Sequence, residues 1–136
     1  MSLQPLTHAD AQRAIDLIAR EVEKMGKGAV IVVADDHGEL LALLRMDGAP
    51  LSSLLIAQNK AWTAARERTN TRVLGERSRQ EGFPLTYFGE LRFVGWGGGV
   101  PVYRGGQVVG AIAVSGLPEA VDEQLAQQAA EMLSTG

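Results

Sequence analysis

The residues of this chain best suited to chemistry are two imidazoles, one lysine inside an apolar helix, and a glycine-dense stretch near the C-terminal end. His37 stands in Asp35-Asp36-His37-Gly38, with Glu39 next. An imidazole at a turn tip can reach a metal or a haem iron, and the three neighbouring acids can hold a cation weakly. The same residues are also ordinary turn chemistry, in which short polar side chains satisfy the backbone. His8 falls in the first turn of an amphipathic run and reads as a solvated helix-start residue. With two histidines and no cysteine, a His-rich zinc site, a thiolate nucleophile and a disulfide framework are excluded, and no resident metal is expected.

Lys60 lies between Asn59 and Ala61 in a run of helical character. Its stem can pack while the amine reaches the surface, or the amine can pair with Asp47 or with a ligand carboxylate. Trp62 beside it reads as core or interface. The third feature, GWGGGVPVYRGGQVVGAIAVSG, holds half of the sixteen glycines. A dinucleotide loop fails on spacing, because Val100 or Val102 occupies the third glycine position. A P-loop fails because Ala111 and Ile112 follow Gly110, and a strand rather than a helix continues from it. Ser115 lacks the first glycine of a nucleophile elbow, since Ala113 stands there. These glycines therefore read as hairpin and strand-entry positions.

The elements that must position these residues follow from periodicity. Thr7 and Asp10 give a capping-box-like start ahead of Ala11, Ala14, Ile15, Ile18, Val22 and Met25, which recur at helical steps until Gly26. AVIVVA (29–34) reads as a buried strand and ELLALLR (39–45) as its hairpin partner. Both faces of the second strand are apolar, so helices or another subunit must cover each. Residues 54–74 read as one long helix whose stripe is Leu54, Ala57, Ala61, Ala64 and Ala65. Small side chains there let the helix lie close to a sheet. A short helix and a loop are expected between Gly75 and Gly89, then a short strand in LRFVGW. VPVYR and QVVGAIAVSG form a hairpin at Gly105-Gly106, and a final helix begins near Pro118 with Glu119, Asp122 and Glu123 at its positive end. The order predicts an α+β fold, with residues 1–136 as one domain.

Composition narrows the partners. A net charge of −3 leaves no basic excess for nucleic acid or an acidic membrane. Arg66, Arg68 and Arg72 sit beside Glu67 and read as a solvated helix face. MSLQPLTHAD carries no charged segment followed by an apolar run, and no stretch has membrane-spanning length, so a cytoplasmic location is expected.

VVADDHGELLALLRMDGAPLSSLLIAQNKAWTAA, then GGGVPVYRGGQVVGAIAVSG and an acidic last helix, together resemble the GlcG/HbpS-like family, with the nearest look to the haem-binding C-terminal domain of PduO-type proteins. The resemblance covers nearly the whole chain. It implies a profilin-like α/β/α fold with a five-stranded antiparallel sheet, homo-oligomers, and haem binding or haem degradation in some members. Carried over by position, it points to Arg45, Asp47, Lys60, Thr63, Thr71, Gly98 and Gly99 as ligand-binding residues. Met46, Gly48, Pro101, Gly110, Ser115 and Gly116 also match its blocks. Ala113 replaces a usual glycine, and Thr69-Asn70-Thr71 stands where Arg-Pro-Thr is usual.

The expected function is small-molecule binding by a homo-oligomer, with haem or another tetrapyrrole as ligand and His37 or His8 as axial donor. The alternative is an enzyme acting on a small carboxylate or hydroxy acid, in which Lys60 holds the carboxylate and Asp47 or Glu67 is acid or base. No catalytic residue is assigned.

Overall fold

The computed structural model describes residues 4–135. Helix α1 (His8–Lys24) is followed by β1 (Val30–Ala34), β2 (Leu40–Arg45), α2 (Ser53–Glu67) and α3 (Thr71–Glu81). A 3-10 turn at Leu85–Phe88 leads to β3 (Gly99–Arg104), β4 (Gln107–Ser115) and α4 (Glu119–Ser134). The predicted capping box opens α1: Thr7 accepts from the Asp10 amide, and Asp10 accepts from the Thr7 amide.

The sheet is antiparallel throughout, in the order β2-β1-β4-β3. Helices α1 and α4 cover one face and α2 the other. Strand alternation divides the core in two. Ile31, Val33, Ile112 and Val114 pack with the larger side chains of α1 and α4, while Val30, Val32, Ala34 and Ala113 meet Ala57 and Ala61 of α2. The alanine stripe thus brings α2 close to the sheet, as its composition predicts. At Gly105-Gly106 both glycines have positive φ (57° and 78°), the geometry of a two-residue hairpin turn. Pro101 lies in β3, an edge strand, where its missing N–H costs no ladder bond.

Three expectations are corrected. The described residues form four strands instead of five, because LRFVGW runs without ladder partners. Its backbone is bound by side chains: Thr63 Oγ1 donates to Arg92 O and accepts from Val94 N–H, and Thr71 Oγ1 donates to Trp96 O. The long helix is two helices, broken where Arg68 takes a left-handed conformation (φ 54°). Local apolar periodicity could not register that single-residue break. Third, β2 is an edge strand whose residues 41–44 are only partly covered within this chain, despite two apolar faces.

Candidate functional site

At one end of the sheet, α2, β4 and α4 converge on Lys60. The close approach of the alanine-lined helix buries the amine, and its side chain is 4% exposed. Nζ donates to Val114 O at 3.0 Å and to Asp122 Oδ2 at 3.5 Å. Asp122, from the first turn of α4, also accepts from Leu117 N–H through Oδ1. Burial drives both groups toward their neutral forms. Desolvation lowers the Lys60 pKa, opposed by Asp122 and Glu119, and pushes the Asp122 carboxyl up to about 6, opposed by Lys60 and nearby N–H groups.

Gly98 and Gly99 pass directly against this pair. A Cβ at Gly98 (φ 128°) would stand 2.6 Å from Val114 O and 2.7 Å from Lys60 Nζ. At Gly99 it would meet Lys60 O at 2.5 Å. Thr71 Oγ1 accepts from Gly99 N–H, and Glu119 accepts from Gly97 N–H. Lys60, Thr63, Thr71, Gly98 and Gly99 are therefore brought together: Thr63 of α2 and Thr71 of α3 hold the 92–99 segment, and Gly98 and Gly99 let it pass against Lys60. A cleft of about 280 Å³ opens beside them, lined also by Ile56, Trp96, Ser115 and Leu117.

Arg45 and Asp47 stand apart from that cluster. Arg45 ends β2 and is exposed. Asp47 lines a neighbouring depression with Lys27, Gly28 and Pro50, which meets the Lys60 cleft at Gly116. The expected Lys60–Asp47 pair is replaced by Lys60–Asp122, and surface snorkelling is ruled out by burial. Glu67 lies seven residues after Lys60 on α2, roughly 10 Å along the axis. Glu67 is thus set off from Lys60 along the helix, while Asp47 lies in the adjoining depression. Asp122 was visible in the sequence only as an acid suited to a helix start.

The opposite end holds the imidazoles. Asp35 Oδ1 accepts from His37 N–H (2.8 Å) and Glu39 N–H (3.0 Å), so the turn is satisfied by its own side chain. Donor atoms of Asp35, Asp36 and His37 lie within 4.8 Å of one another, but the His37 side chain is 78% exposed. A cleft of about 430 Å³ is lined here by Pro5, Asp36, Arg68, Tyr103, Val108 and Val109. Tyr103 Oη donates to Arg68 O. His8 is the first residue of α1 and exposed, just after Leu6 N–H bonds Val109 O along the same wall. The length of β1 from Val30 to Ala34, roughly 13 Å, separates the two ends. Neither imidazole lines the Lys60 cleft.

An α+β chain with an alanine-faced helix on a four-stranded antiparallel sheet and a buried Lys–Asp pair is the class defined so far. Residues 6–131 match the family model described as "Haem degrading protein HbpS-like". The chain belongs to this HbpS-like family. It is 33% identical over 132 residues to a 15.0 kDa protein of the dhaT–dhaS intergenic region of Citrobacter freundii, covering 95% of this chain and 92% of that one. It is 40% identical over 101 residues to GlcG of Escherichia coli K12, covering 70% and 69% respectively. Among solved structures, Klebsiella pneumoniae ORFY is similar at a TM-score of 0.91 and 32% identity, covering 100% of this chain and 95% of that one. The Streptomyces reticuli HbpS double mutant is similar at 0.87 and 32%, covering 98% and 90%. A PduOC–haem complex is similar at 0.85 and 28%, covering 93% and 94%.

Proposed function

We infer that this chain binds haem or a closely related tetrapyrrole in the cleft at the hairpin end of the sheet. The observation that carries this is the likeness, over almost the whole chain, to a relative whose structure is a haem complex. The chemistry of the cleft supports it. Tyr103 offers a half-exposed aromatic ring in a largely polar cleft, the Arg68 guanidinium suits a propionate, and the exposed His37 and His8 lie close in sequence to the lining residues Asp36 and Pro5. His37 or His8 would supply an imidazole nitrogen to the iron. Bound haem would contribute ligand-binding and electron-transfer chemistry at that iron, while the chain orients the ring and limits access to it. Degradation of the haem is the finer expectation raised by the family description. Assembly into a homo-oligomer accords with the partly uncovered edge strand β2.

Titration with ferric haem, followed in the Soret band, tests the proposal. A saturable red shift is expected for the wild type, weakened by His37→Ala or His8→Ala and abolished in the double variant. An unchanged Soret response in the double variant, or none in the wild type, overturns it.

A further inference from the structure

Arg68 closes α2 in the left-handed conformation, at φ 54°. That conformation crowds the Cβ of any L residue against the backbone, a cost that glycine escapes. Elsewhere the chain keeps to this rule, since every other described residue with positive φ is a glycine. Helices α1 and α3 are likewise stopped by left-handed residues, and there the residues are Gly26 (φ 68°) and Gly82 (φ 73°). Of the three, only α2 stops on a long side chain.

Packing gives no reason for the arginine. Arg68 is exposed, and among the described residues its side chain makes neither a hydrogen bond nor an ion pair. The basic residues on either side are engaged: Arg66 lies over the Trp62 ring, and Arg72 is held by Glu123 and Glu76. What is fixed at Arg68 is its backbone. Tyr103 Oη donates to Arg68 O at 2.9 Å, tying the corner between α2 and α3 to the edge strand β3. The β3–β4 register shifts between Val102 and Tyr103, an irregularity of the kind that re-aims a side chain at a sheet edge. Arg68 and Tyr103 then share the lining of the 430 Å³ cleft. Asp36 is the single acid on that lining, and its Oδ1 stands 3.4 Å from His37 Nδ1. The cleft thus holds one unpaired cation on a tethered backbone, at a position where glycine would cost less. Local rules broken beside a cleft in this way mark function more than architecture.

We propose that Arg68 recognises a carboxylate substituent of the ligand in this cleft, with Tyr103 as the positioning residue that holds the Arg68 backbone for it. The inference rests on the reading of the cleft as a tetrapyrrole site, whose ligand carries propionates. A guanidinium takes a carboxylate through two parallel N–H···O bonds, so its direction matters as well as its charge. The site therefore selects free-acid over esterified tetrapyrroles, a distinction that iron ligation by an imidazole does not make.

Ferric haem and its dimethyl ester are the probes, in one buffer containing dimethyl sulfoxide, with binding followed by quenching of Trp62 and Trp96 fluorescence. The wild type is expected to prefer the diacid about tenfold, as one charge-assisted pair provides. Arg68→Gly should remove that preference by weakening the diacid alone, while its urea midpoint stays at or above that of the wild type. Arg68→Gln keeps the Cβ, loses the charge, and should lose the preference equally. Tyr103→Phe keeps the ring and should lose about threefold of the preference; full preference there removes the positioning role. An Arg68→Gly variant that discriminates as the wild type does overturns the assignment and leaves tetrapyrrole binding standing. Binding of neither compound to the wild type overturns the reading beneath it, and the assignment with it.

Discussion

The two ends of the sheet carry similar side chains, carboxylates beside a nitrogen base, in opposite surroundings. Lys60 and Asp122 sit in the interior, with every polar atom of the pair directed at a partner outside its own helix. Asp35 and Asp36 are partly exposed and His37 is exposed, and their side-chain hydrogen bonds stay within the turn. The first group ties α2, β4 and α4 together and is part of the architecture. The second is free to meet something from outside. Burial, more than residue type, separates a structural ion pair from a candidate ligand site, because a charge removed from water must be compensated by whatever the fold brings near it.

The largest expected contrast comes from deleting the base at each end. Lys60→Ala leaves the Asp122 carboxylate buried and unpaired, and should cost about 3–5 kcal/mol of stability in urea denaturation. His37→Ala, at the exposed turn, should stay within about 0.5 kcal/mol. A Lys60→Met, Asp122→Leu double variant should recover most of the loss, which a catalytic or solvent-facing pair would have no reason to do.

Next in size are the glycines. Gly98→Ala drives a Cβ into Val114 O and Lys60 Nζ at φ 128°, and should cost about 2–4 kcal/mol. Gly106→Ala at the hairpin has open space around it and only its positive φ against it, so about 1 kcal/mol is expected. Thermal melts of the two variants measure the difference.

A subtler contrast lies in pH. The Asp122 carboxyl titrates at about 6 in the fold against 3.8 in a free side chain, so between those values the folded chain binds a proton that the unfolded chain lacks. Its contribution therefore favours the fold below pH 3.8 and is lost as pH rises through about 6. Asp10 has the opposite sign. The Thr7 N–H holds its carboxyl below 3.8, so its contribution is present above 3.8 and disappears as pH falls through the lowered value. Stability curves of Asp122→Asn and Asp10→Asn, each subtracted from wild type, should slope in opposite directions. Matching slopes would mean that Asp122 is solvated, and the contrast between the two ends would fail.

Much of the scaffold was legible from residue order. The Thr7–Asp10 capping box, the Gly105-Gly106 hairpin, the alanine face of α2 and the run of β1 depend on neighbours within a few positions, and each formed as expected. The strand expected in LRFVGW did not form. Its local composition suits a strand, but Thr63 and Thr71, distant in sequence, take the backbone groups a ladder would have used. The clustering of part of the expected residue set was legible, and the partners were not. Lys60, Thr63, Thr71, Gly98 and Gly99 do assemble, yet Arg45 and Asp47 lie outside the cluster, and Asp122 enters it from the last helix.

By itself the sequence determined the α+β order of elements, the two-sided burial of β1 and the family blocks, all properties of short-range pattern. The tertiary structure decided which of sixteen acidic residues meets Lys60, that both histidines stand at the far end of the sheet from it, and that the Trp62 N–H is left without an acceptor. Those outcomes depend on how α2 and α4 pack across the sheet. Groups 62 residues apart come within hydrogen-bonding distance through that packing, and no local periodicity encodes such a meeting.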